Sequence, residues 1–357
     1  METKKPRVIA FYLPQFHPIP ENDKWWGKGF TEWTNVGKAK PLFPGHYQPR
    51  VPADLGYYDL RVPETREAQA QLAREAGIEG FCYWHYWFGN GKRLLERPFN
   101  EVLESGKPDF PFCLAWANES WKGFDHGLTN RRVLIEQLYP NVDDYTKHFY
   151  TVLPAFKDKR YIRVDDKPLF MIYKPLASPE IAVFIKTWRE LAERNGLSGI
   201  YFVGQCTDRD KIELYRKIDI DAINTISIHE SLRYRNLLFR IVYKIYRIIM
   251  KSPYIISYKK AAHYFFIKNI DGCDNIIPTI ISGWDHTPRS GRYGLVQKNY
   301  TPRLFQDHAK EVILNCSKKP NIIFLKSWNE WAEGNYLEPD LRWGKQYIVA
   351  LSKLIKD

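Results

Sequence analysis

The feature that most constrains the fold of this chain is a set of eight short apolar segments that recur along its length. They are mostly continuous apolar runs rather than strict alternations of apolar and polar residues. Strands that are buried on both faces of a parallel sheet have this character. The segments cover residues 7–13, 80–84, 112–116, 168–173, 200–205, 222–228, 276–281 and 322–327.

Helical patterns lie between most of these segments. The pattern at 64–76 follows Pro63 and stops at Gly77, where proline and glycine favour the start and the end of a helix. The others cover 94–105, 143–156, 179–195, 208–217, 302–316 and 347–355. This repetition predicts an α/β protein, a single (β/α)8 TIM barrel with long βα loops over residues 1–357. A doubly wound open sheet is the alternative, but no GxGxxG or Walker glycine pattern supports it.

Two connections are longer than a normal βα loop. Residues 14–63 are rich in Pro, Gly and Trp, and we expect them to form an ordered loop over the barrel mouth. Residues 231–268 contain nine basic residues and no acidic one, so this segment carries most of the net charge of +12. We interpret it as a basic helical insertion in the barrel.

The sequence shows neither a secretory signal nor a membrane-spanning segment. The apolar run at 8–13 is too short for a signal peptide, and no run reaches the ~18 apolar residues of a spanning helix. The five cysteines form no CxxC pair, which favours reduced thiols. We therefore expect a cytoplasmic protein.

Polar and aromatic residues gather where the predicted strands end. In a barrel these ends form the mouth, where active sites lie. Aromatic rings stack on the apolar faces of sugars, and polar side chains pair with their hydroxyls. The pattern favours a carbohydrate site over loop packing and helix capping. We expect substrate contacts from Gln15, His17, Trp26, Trp33, His85, Tyr86, Trp87, Trp116, Asn118, Glu119, Tyr173, Gln205, Trp284, Asp285 and Asn329.

Glu330 and Glu333 are the candidate catalytic residues. Glycosidic cleavage commonly needs one protonated and one ionised carboxyl group, and mutual proximity beside Trp rings pushes two pKa values apart. A solvated E-x-x-E helix face is the alternative, but the pair follows the eighth strand in a segment that also contains Trp328 and Trp331. Asn118-Glu119 is a second Asn-Glu pair at a strand end, which could hold a hydroxyl or supply the acid.

We expect neither a metal nor another cofactor. His17, His85, His126 and His286 are scattered, and no HxxxH or HExxH spacing occurs. Scattered histidines also serve as hydroxyl binders.

Four long motifs resemble the WbsX-like family, which is usually named for glycosyltransferases of surface polysaccharide gene clusters. They are FYLPQFH at 11–17, WWGKGFTEW at 25–33, GFCYWHYW at 80–87 and WNEWAEG at 328–334. The resemblance covers essentially the whole chain. That family is in turn similar, more loosely, to glycoside hydrolase family 99, the endo-α-1,2-mannosidases and mannanases.

The resemblance to family 99 implies a retaining mechanism. Glu330 would act as the base on the sugar 2-hydroxyl, which closes onto the anomeric carbon as a 1,2-anhydro sugar. Glu333 would protonate the leaving oxygen. The sequence NESWKGFD at 118–125 departs from the family pattern of Asn-Glu-Asn-Trp followed by Arg and Trp. This departure leaves the identity of the bound sugar open.

Three functions remain open at this point. The first is a family-99-like glycoside hydrolase that cleaves an oligosaccharide or polysaccharide, with α-mannosides as one substrate class. The second is a glycosyltransferase or transglycosidase that builds O-antigen or capsular polysaccharide with the same two glutamates. The third is a glycan-binding protein without catalysis, which the presence of both glutamates disfavours.

The basic segment adds a hypothesis about membranes. Apolar residues recur at helical spacing from about 232 to 250 with basic residues between them, which predicts an amphipathic helix. Such a helix favours anionic membrane surfaces, so a peripheral position at the inner membrane is one interpretation. The other is an ordinary barrel helix with its apolar face on the core and its basic face in water. Nucleic acid is disfavoured, since no recognised binding motif accompanies the charge.

Overall fold

The computed structural model describes residues 5–123, 132–232 and 237–356. Its main sheet is built from eight parallel strand positions, and most of their residues are buried on both faces. The strands are β1 Arg7–Tyr12, β2 Gly80–Trp87, β3 Phe112–Trp116, β4 Lys167–Ile172, β5 Tyr201–Cys206, β6 Ala222–Thr225, β7 Ile276–Ile277 continuing as Thr279–Ile281, and β8 Ile322–Lys326.

The sheet closes on itself through β7. Pro278 has no N–H to donate and divides this strand into two pieces. Ile277 in the first piece pairs with Asn224 of β6, and Thr279 in the second pairs with Phe324 of β8. Since β8 also pairs with β1, the order of strands runs round a barrel. The predicted (β/α)8 barrel is confirmed.

Helices follow the strands largely where the patterns place them. Helix α3 begins at Pro63 and ends at Ala76, and Gly77 caps it with a φ of 82°, a left-handed conformation that glycine adopts without strain. The described helices are α1 Pro20–Trp26, α2 Glu32–Lys38, α3 Pro63–Ala76, α4 Arg97–Ser105, α5 Val142–Phe156, α6 Ile181–Arg194, α7 Ile212–Tyr215, α8 Leu237–Met250, α9 Tyr258–Ala262, α10 Lys268–Asp271, α11 Thr287–Ser290, α12 Pro302–Asn315 and α13 Gln346–Ile355.

The long connection at 14–63 is ordered and contains α1 and α2. Its polar side chains bind residues that are distant in the sequence. Arg289 pairs with Glu32, and the Tyr58 hydroxyl donates to Glu338. Trp33 packs against Trp331, with 5.4 Å between ring centroids. The loop therefore reaches the segments that follow β7 and β8.

The basic segment contains α8, but its apolar face is turned away from the barrel. Ile245, Ile248 and Ile249 are 52%, 68% and 70% exposed. The opposite face contacts the protein, where the Tyr243 hydroxyl accepts from the Ile255 amide at 2.9 Å. Arg247 lies on the same side. The alternative of an ordinary barrel helix with its apolar face on the core is therefore wrong for the side chains described here. None of the helices in the described parts of the chain has the length and hydropathy that crossing a bilayer requires.

Candidate active site

A cleft of about 870 Å³ opens at the C-terminal ends of the barrel strands. Each strand, or the loop that follows it, contributes to its wall, as expected of a site in this fold. Its described lining residues are Leu13, Gln15, Trp84, Tyr86, Ala117, Glu119, Trp121, Tyr173, Gln205, Thr207, Ile226, Ile228, His229, Trp284, Arg289, Lys326, Glu330 and Glu333. Both candidate catalytic glutamates thus lie in one cleft with aromatic walls.

Glu330 is buried at the floor of this cleft, with 3% of its surface exposed. Its carboxylate accepts from the Trp84 indole N–H at 2.8 Å and from the Lys326 ammonium at 2.6 Å. Burial raises the pKa of Glu330 to about 7, because the charged form loses its hydration. Glu333 raises this pKa further and Lys326 opposes the rise.

Glu333 is surrounded by positive charge. Its carboxylate accepts from the Arg289 guanidinium and lies 3.6 Å from the Lys326 ammonium. Burial alone would raise the pKa of Glu333, but the charges of Arg289 and Lys326 lower it below its ordinary value. The environment therefore separates the pKa values of the two glutamates in opposite directions.

The balance of charge explains this separation. Among the described residues, the carboxyls of Glu32, Glu330 and Glu333 form ion pairs with two cations, Arg289 and Lys326. Arg289 bridges Glu32 at 3.0 Å to Glu333, so α2 supports the site from behind. A buried excess of one negative charge favours retention of one proton. The raised pKa of Glu330 and the lowered pKa of Glu333 favour Glu330 as the group that holds this proton.

This proton placement differs from the roles that the resemblance implies, in which Glu330 is the base and Glu333 the acid. Sequence reasoning omitted Arg289 and Lys326, which together lower the pKa of Glu333. The roles in the free protein and in a substrate complex need not coincide, because a bound sugar changes the solvation and hydrogen bonding of both groups.

Six predicted substrate contacts lie in the cleft beside the glutamates. They are Gln15, Tyr86, Glu119, Tyr173, Gln205 and Trp284. The Gln15 Nε2 and Trp284 Nε1 groups are buried and have no hydrogen-bond partner among the described residues. Unpaired buried donors are costly, and sugar hydroxyls or ring oxygens would satisfy them. Glu119 lies at the rim in an exposed ion pair with Lys174.

The structure does not bring His85, Trp87 or Trp116 into the cleft. Successive side chains of a strand point to opposite faces, so Trp84 and Tyr86 face the cleft and their neighbours face outward. His85 contacts His148 of α5 at 2.8 Å between the Nε2 atoms, and Trp87 and Trp116 pack against the same histidine. The sequence-based prediction that they contact substrate did not take this alternation into account.

His17, Trp26 and Trp33 are also absent from the lining of the cleft. His17 is 1% exposed, and burial lowers its pKa to about 4. Trp26 stacks on Phe30 at 4.8 Å between ring centroids. Trp33 donates its indole N–H to the Tyr58 carbonyl at 2.8 Å. Trp26 and Trp33 therefore pack against other residues of the 14–63 loop.

Three polar residues that were predicted to contact substrate instead bind other parts of the protein around the cleft. Asn118 donates to the Lys174 carbonyl and accepts from the Lys174 amide. Asn329 makes the same two-way contact with Leu13 and ties β1 to the loop after β8. Asp285 is fully buried in a separate cluster. These side chains position the cleft walls and do not line the cleft.

Sequence reasoning missed several lining residues. Trp84 carried a usable signal, since it shares the strand face of Tyr86. Lys326 also carried one, as a lysine at the end of an apolar strand, where a buried charge needs partners. Arg289 gave no signal, because α11 reaches the glutamates only through the fold. Among the described residues, no group of three or more His, Cys, Asp or Glu side chains could hold a metal ion.

The family comparison identifies the chain. The sequence model of the family described as "Glycosyltransferase WbsX" matches residues 8–351. The chain belongs to the WbsX glycosyltransferase family. The predicted resemblance to the WbsX-like family is thereby confirmed.

Relatives of this family member are found in Xanthomonas campestris pv. campestris. The uncharacterised protein WxcX of two strains is 36% identical over 355 residues, which is 98% of the chain. That alignment covers 49% of WxcX, so the chain spans about half the length of the curated relatives it matches.

Solved structures share the barrel. A glycoside hydrolase-like protein superposes with a TM-score of 0.63 at 15% identity, covering 99% of this chain and 95% of that one. The GH99 endo-α-mannosidase of Bacteroides thetaiotaomicron superposes with a TM-score of 0.61 at 16% identity, covering 99% and 98%. At this identity the likeness shows the fold alone.

Proposed function

We propose that this WbsX family member cleaves glycosidic bonds of an oligosaccharide or polysaccharide, with Glu330 and Glu333 as its catalytic pair. One observation carries the proposal: two buried, hydrogen-bonded carboxyls on the cleft floor have pKa values shifted in opposite directions. An acid and a base at one pH require this separation. The unpaired donors of Gln15 and Trp284 supply hydroxyl-binding positions beside the pair.

The spacing of the pair supports a retaining outcome. Inverting enzymes hold their carboxyls about 6.5–9.5 Å apart so that a water fits between them. Here an oxygen of Glu330 and an oxygen of Glu333 lie 2.6 and 3.6 Å from the same Lys326 ammonium, so the two carboxyls are closer together than that range. In the family-99-like route, Glu330 takes the 2-hydroxyl proton while Glu333 protonates the leaving oxygen. Because the raised pKa of Glu330 favours a proton on that residue in the free protein, this route requires the proton to move to Glu333 when the sugar binds.

Product analysis tests this proposal. We expect incubation with α-mannosides, and with the surface polysaccharide of the host, to release free reducing ends. Proton NMR of the first-formed product should show the anomeric configuration of the substrate. Release with inverted configuration would contradict the retaining route. Turnover of neither substrate class by the folded protein would count against the proposed activity.

A second function is favoured by the family description as a glycosyltransferase. The same two glutamates would then pass the glycosyl group to a sugar acceptor in place of water, as in the assembly of O-antigen or capsular polysaccharide. Product length separates the two reactions in one experiment. Lengthened chains in the presence of acceptor indicate transfer, and free reducing ends indicate hydrolysis.

We infer in addition that α8 contacts an anionic membrane surface, which would place the protein peripherally at the inner membrane. Its outward residues Ile241, Val242, Ile245, Ile248 and Ile249 are 50–70% exposed and form a continuous apolar surface. The basic residues Lys244 and Lys251 of the same segment are also exposed. Apolar area together with flanking cations is the combination by which interfacial helices bind anionic lipid.

Liposome sedimentation tests this contact. We expect binding to vesicles of phosphatidylglycerol and phosphatidylcholine, weaker binding to phosphatidylcholine alone, and loss of binding at high salt, which screens the lysines and arginines. Ile248→Asp should abolish binding. Leu314→Asp on α12 is the matched control, because Leu314 is 69% exposed and lies outside the basic segment. No binding to anionic vesicles at low salt, or equal loss in both variants, would refute the inference.

A further inference from the structure

A second cavity lies next to the candidate active site, with the chain segment after β7 between them. Trp284 lines the cleft, and its neighbour Asp285 lines the second cavity, which has a volume of about 770 Å³. The other walls come from residues 43–50, residues 296–301 and the turn at 342–343. Nothing in the proposed cleavage reaction uses this cavity.

The interior of the second cavity holds buried polar groups without partners. Gln297 is 0% exposed, and neither the nitrogen nor the oxygen of its side-chain amide has a hydrogen-bond partner among the described residues. The Tyr300 hydroxyl is also buried and has no hydrogen-bond partner among the described residues. A buried amide that lacks both partners is unfavourable unless a bound molecule supplies them. Gln297 offers one donor side and one acceptor side, which matches a sugar hydroxyl.

The cavity walls present aromatic faces and positive charge. Arg342 is exposed at the rim and lies over the rings of Tyr47 and Trp343, at 4.8 and 5.2 Å from their centroids. Lys298 is a second exposed cation in the lining. Buried Arg50 lies beneath the ring of Tyr300, at 4.9 Å. These walls suit a ring with one apolar face and an anionic substituent.

The nearby carboxylates are already engaged. Asp285 accepts from Gln48 at 2.8 Å and from the Thr287 hydroxyl at 2.6 Å, and it pairs with His46 and Arg50. Asp340, behind the wall, accepts from the Tyr336 hydroxyl and the Trp343 amide. Neither carboxylate is paired with Arg342 or Lys298 among the described ion pairs. Both rim cations therefore remain for a ligand.

We propose that the second cavity binds a sugar residue that carries a carboxylate, such as a hexuronate. The carboxylate pairs with Arg342 and Lys298, the ring stacks on Tyr47 or Trp343, and hydroxyls satisfy the Gln297 amide. That this sugar belongs to the same glycan that the cleft cleaves is an inference that rests on the proposed function. The binding chemistry of the cavity does not depend on it.

Two backbone hydrogen bonds link the cavity to the cleft. The backbone N–H of Gln297 donates to the Trp284 carbonyl at 2.7 Å. The backbone N–H of Asp285 donates to the Glu333 carbonyl at 2.6 Å. A ligand that orders Gln297 therefore also acts on the segment that presents Trp284 to the cleft.

Fluorine NMR of protein labelled with 5-fluorotryptophan tests the proposal. The Trp343 signal is assigned by its absence in Trp343→Phe, and D-glucuronate, D-glucose and inorganic phosphate are titrated separately. We expect glucuronate to shift the Trp343 signal saturably, with glucose binding weaker by about tenfold, since it lacks the charge-assisted contact. Gln297→Met, which keeps the volume, and Arg342→Gln, at an exposed position, should each weaken glucuronate binding by about tenfold.

The controls separate this proposal from the catalytic one. Glu330→Gln should bind glucuronate at the second cavity as the unmodified protein does. Binding there without any glycoside cleavage would refute the proposed function and leave the second site standing. Phosphate that shifts the Trp343 signal as strongly as glucuronate would overturn the sugar site in favour of a general anion site. Absence of a saturable shift with glucuronate would overturn it altogether.

Discussion

Replacing Glu330 or Glu333 by glutamine is expected to lower kcat on a verified substrate by about 10³-fold or more, with KM little changed. Glutamine keeps the size of the side chain and one acceptor oxygen, so Glu330→Gln retains the contact with the Trp84 indole. What is lost is proton transfer or negative charge in the transition state, which is where such groups contribute. Steady-state kinetics with circular dichroism as a check on folding measures the effect.

Glu338→Gln provides a matched control in the same region of the chain. Glu338 is as buried as Glu330, and burial likewise raises its pKa to about 7, but it accepts from Tyr58, Gln69 and Trp331 and does not line the cleft. This variant should be less stable yet keep most of its turnover. Turnover near that of the unmodified protein in either catalytic variant, or an equal loss in Glu338→Gln, would contradict the assignment of the pair.

An activated substrate assigns the two roles. A glycosyl fluoride needs little protonation of its leaving group, so a variant that lacks only the acid retains activity on it. If the roles follow the motif, Glu333→Gln turns over the fluoride and Glu330→Gln does not. The opposite result would mean that Glu330, whose pKa is raised by burial in the free protein, acts as the acid in the complex.

The barrel could be predicted because continuous apolar segments alternate with helices that have recognisable ends. The same segments held information that the prediction of the site left unused. His85 and Trp87 were assigned to substrate although a strand turns every second side chain outward, where α5 covers them. Applying the alternation from Tyr86 would have selected Trp84, which lies in the cleft and donates to Glu330.

Other parts of the site depend on contacts that no local pattern reveals. Arg289 lies in α11, and the sequence does not show that it joins Glu32 of α2 to Glu333. The protonation of the glutamates follows from that contact and from Lys326. The periodicity of α8 predicted an amphipathic helix but did not determine which face meets the barrel, because either face satisfies the pattern.

Replacing Asp285 by alanine is expected to lower the free energy of unfolding by about 3–5 kcal/mol, the usual cost of removing one partner from a buried ion pair. Asp285 and Arg50 have side chains that are 0% and 2% exposed, so Arg50 would remain a buried cation without this carboxylate. Urea unfolding monitored by Trp fluorescence measures the loss. Glu213→Ala removes the partner of Arg216 in an exposed pair and should change stability little.

The same carboxylate should make stability depend on pH in a defined direction. Burial would raise the pKa of Asp285, but hydrogen bonding by His46 and the charge of Arg50 hold it well below its ordinary value. A depressed pKa in the folded state gives stability that is fully present above the unfolded pKa of about 3.9. That stability is lost as the pH falls through the lower folded value.

Unfolding free energies from pH 7 to pH 3 should therefore fall less steeply for Asp285→Asn than for the unmodified protein. Equal slopes, or a loss below about 1 kcal/mol in Asp285→Ala at pH 7, would show that the Arg50 charge is compensated by other groups.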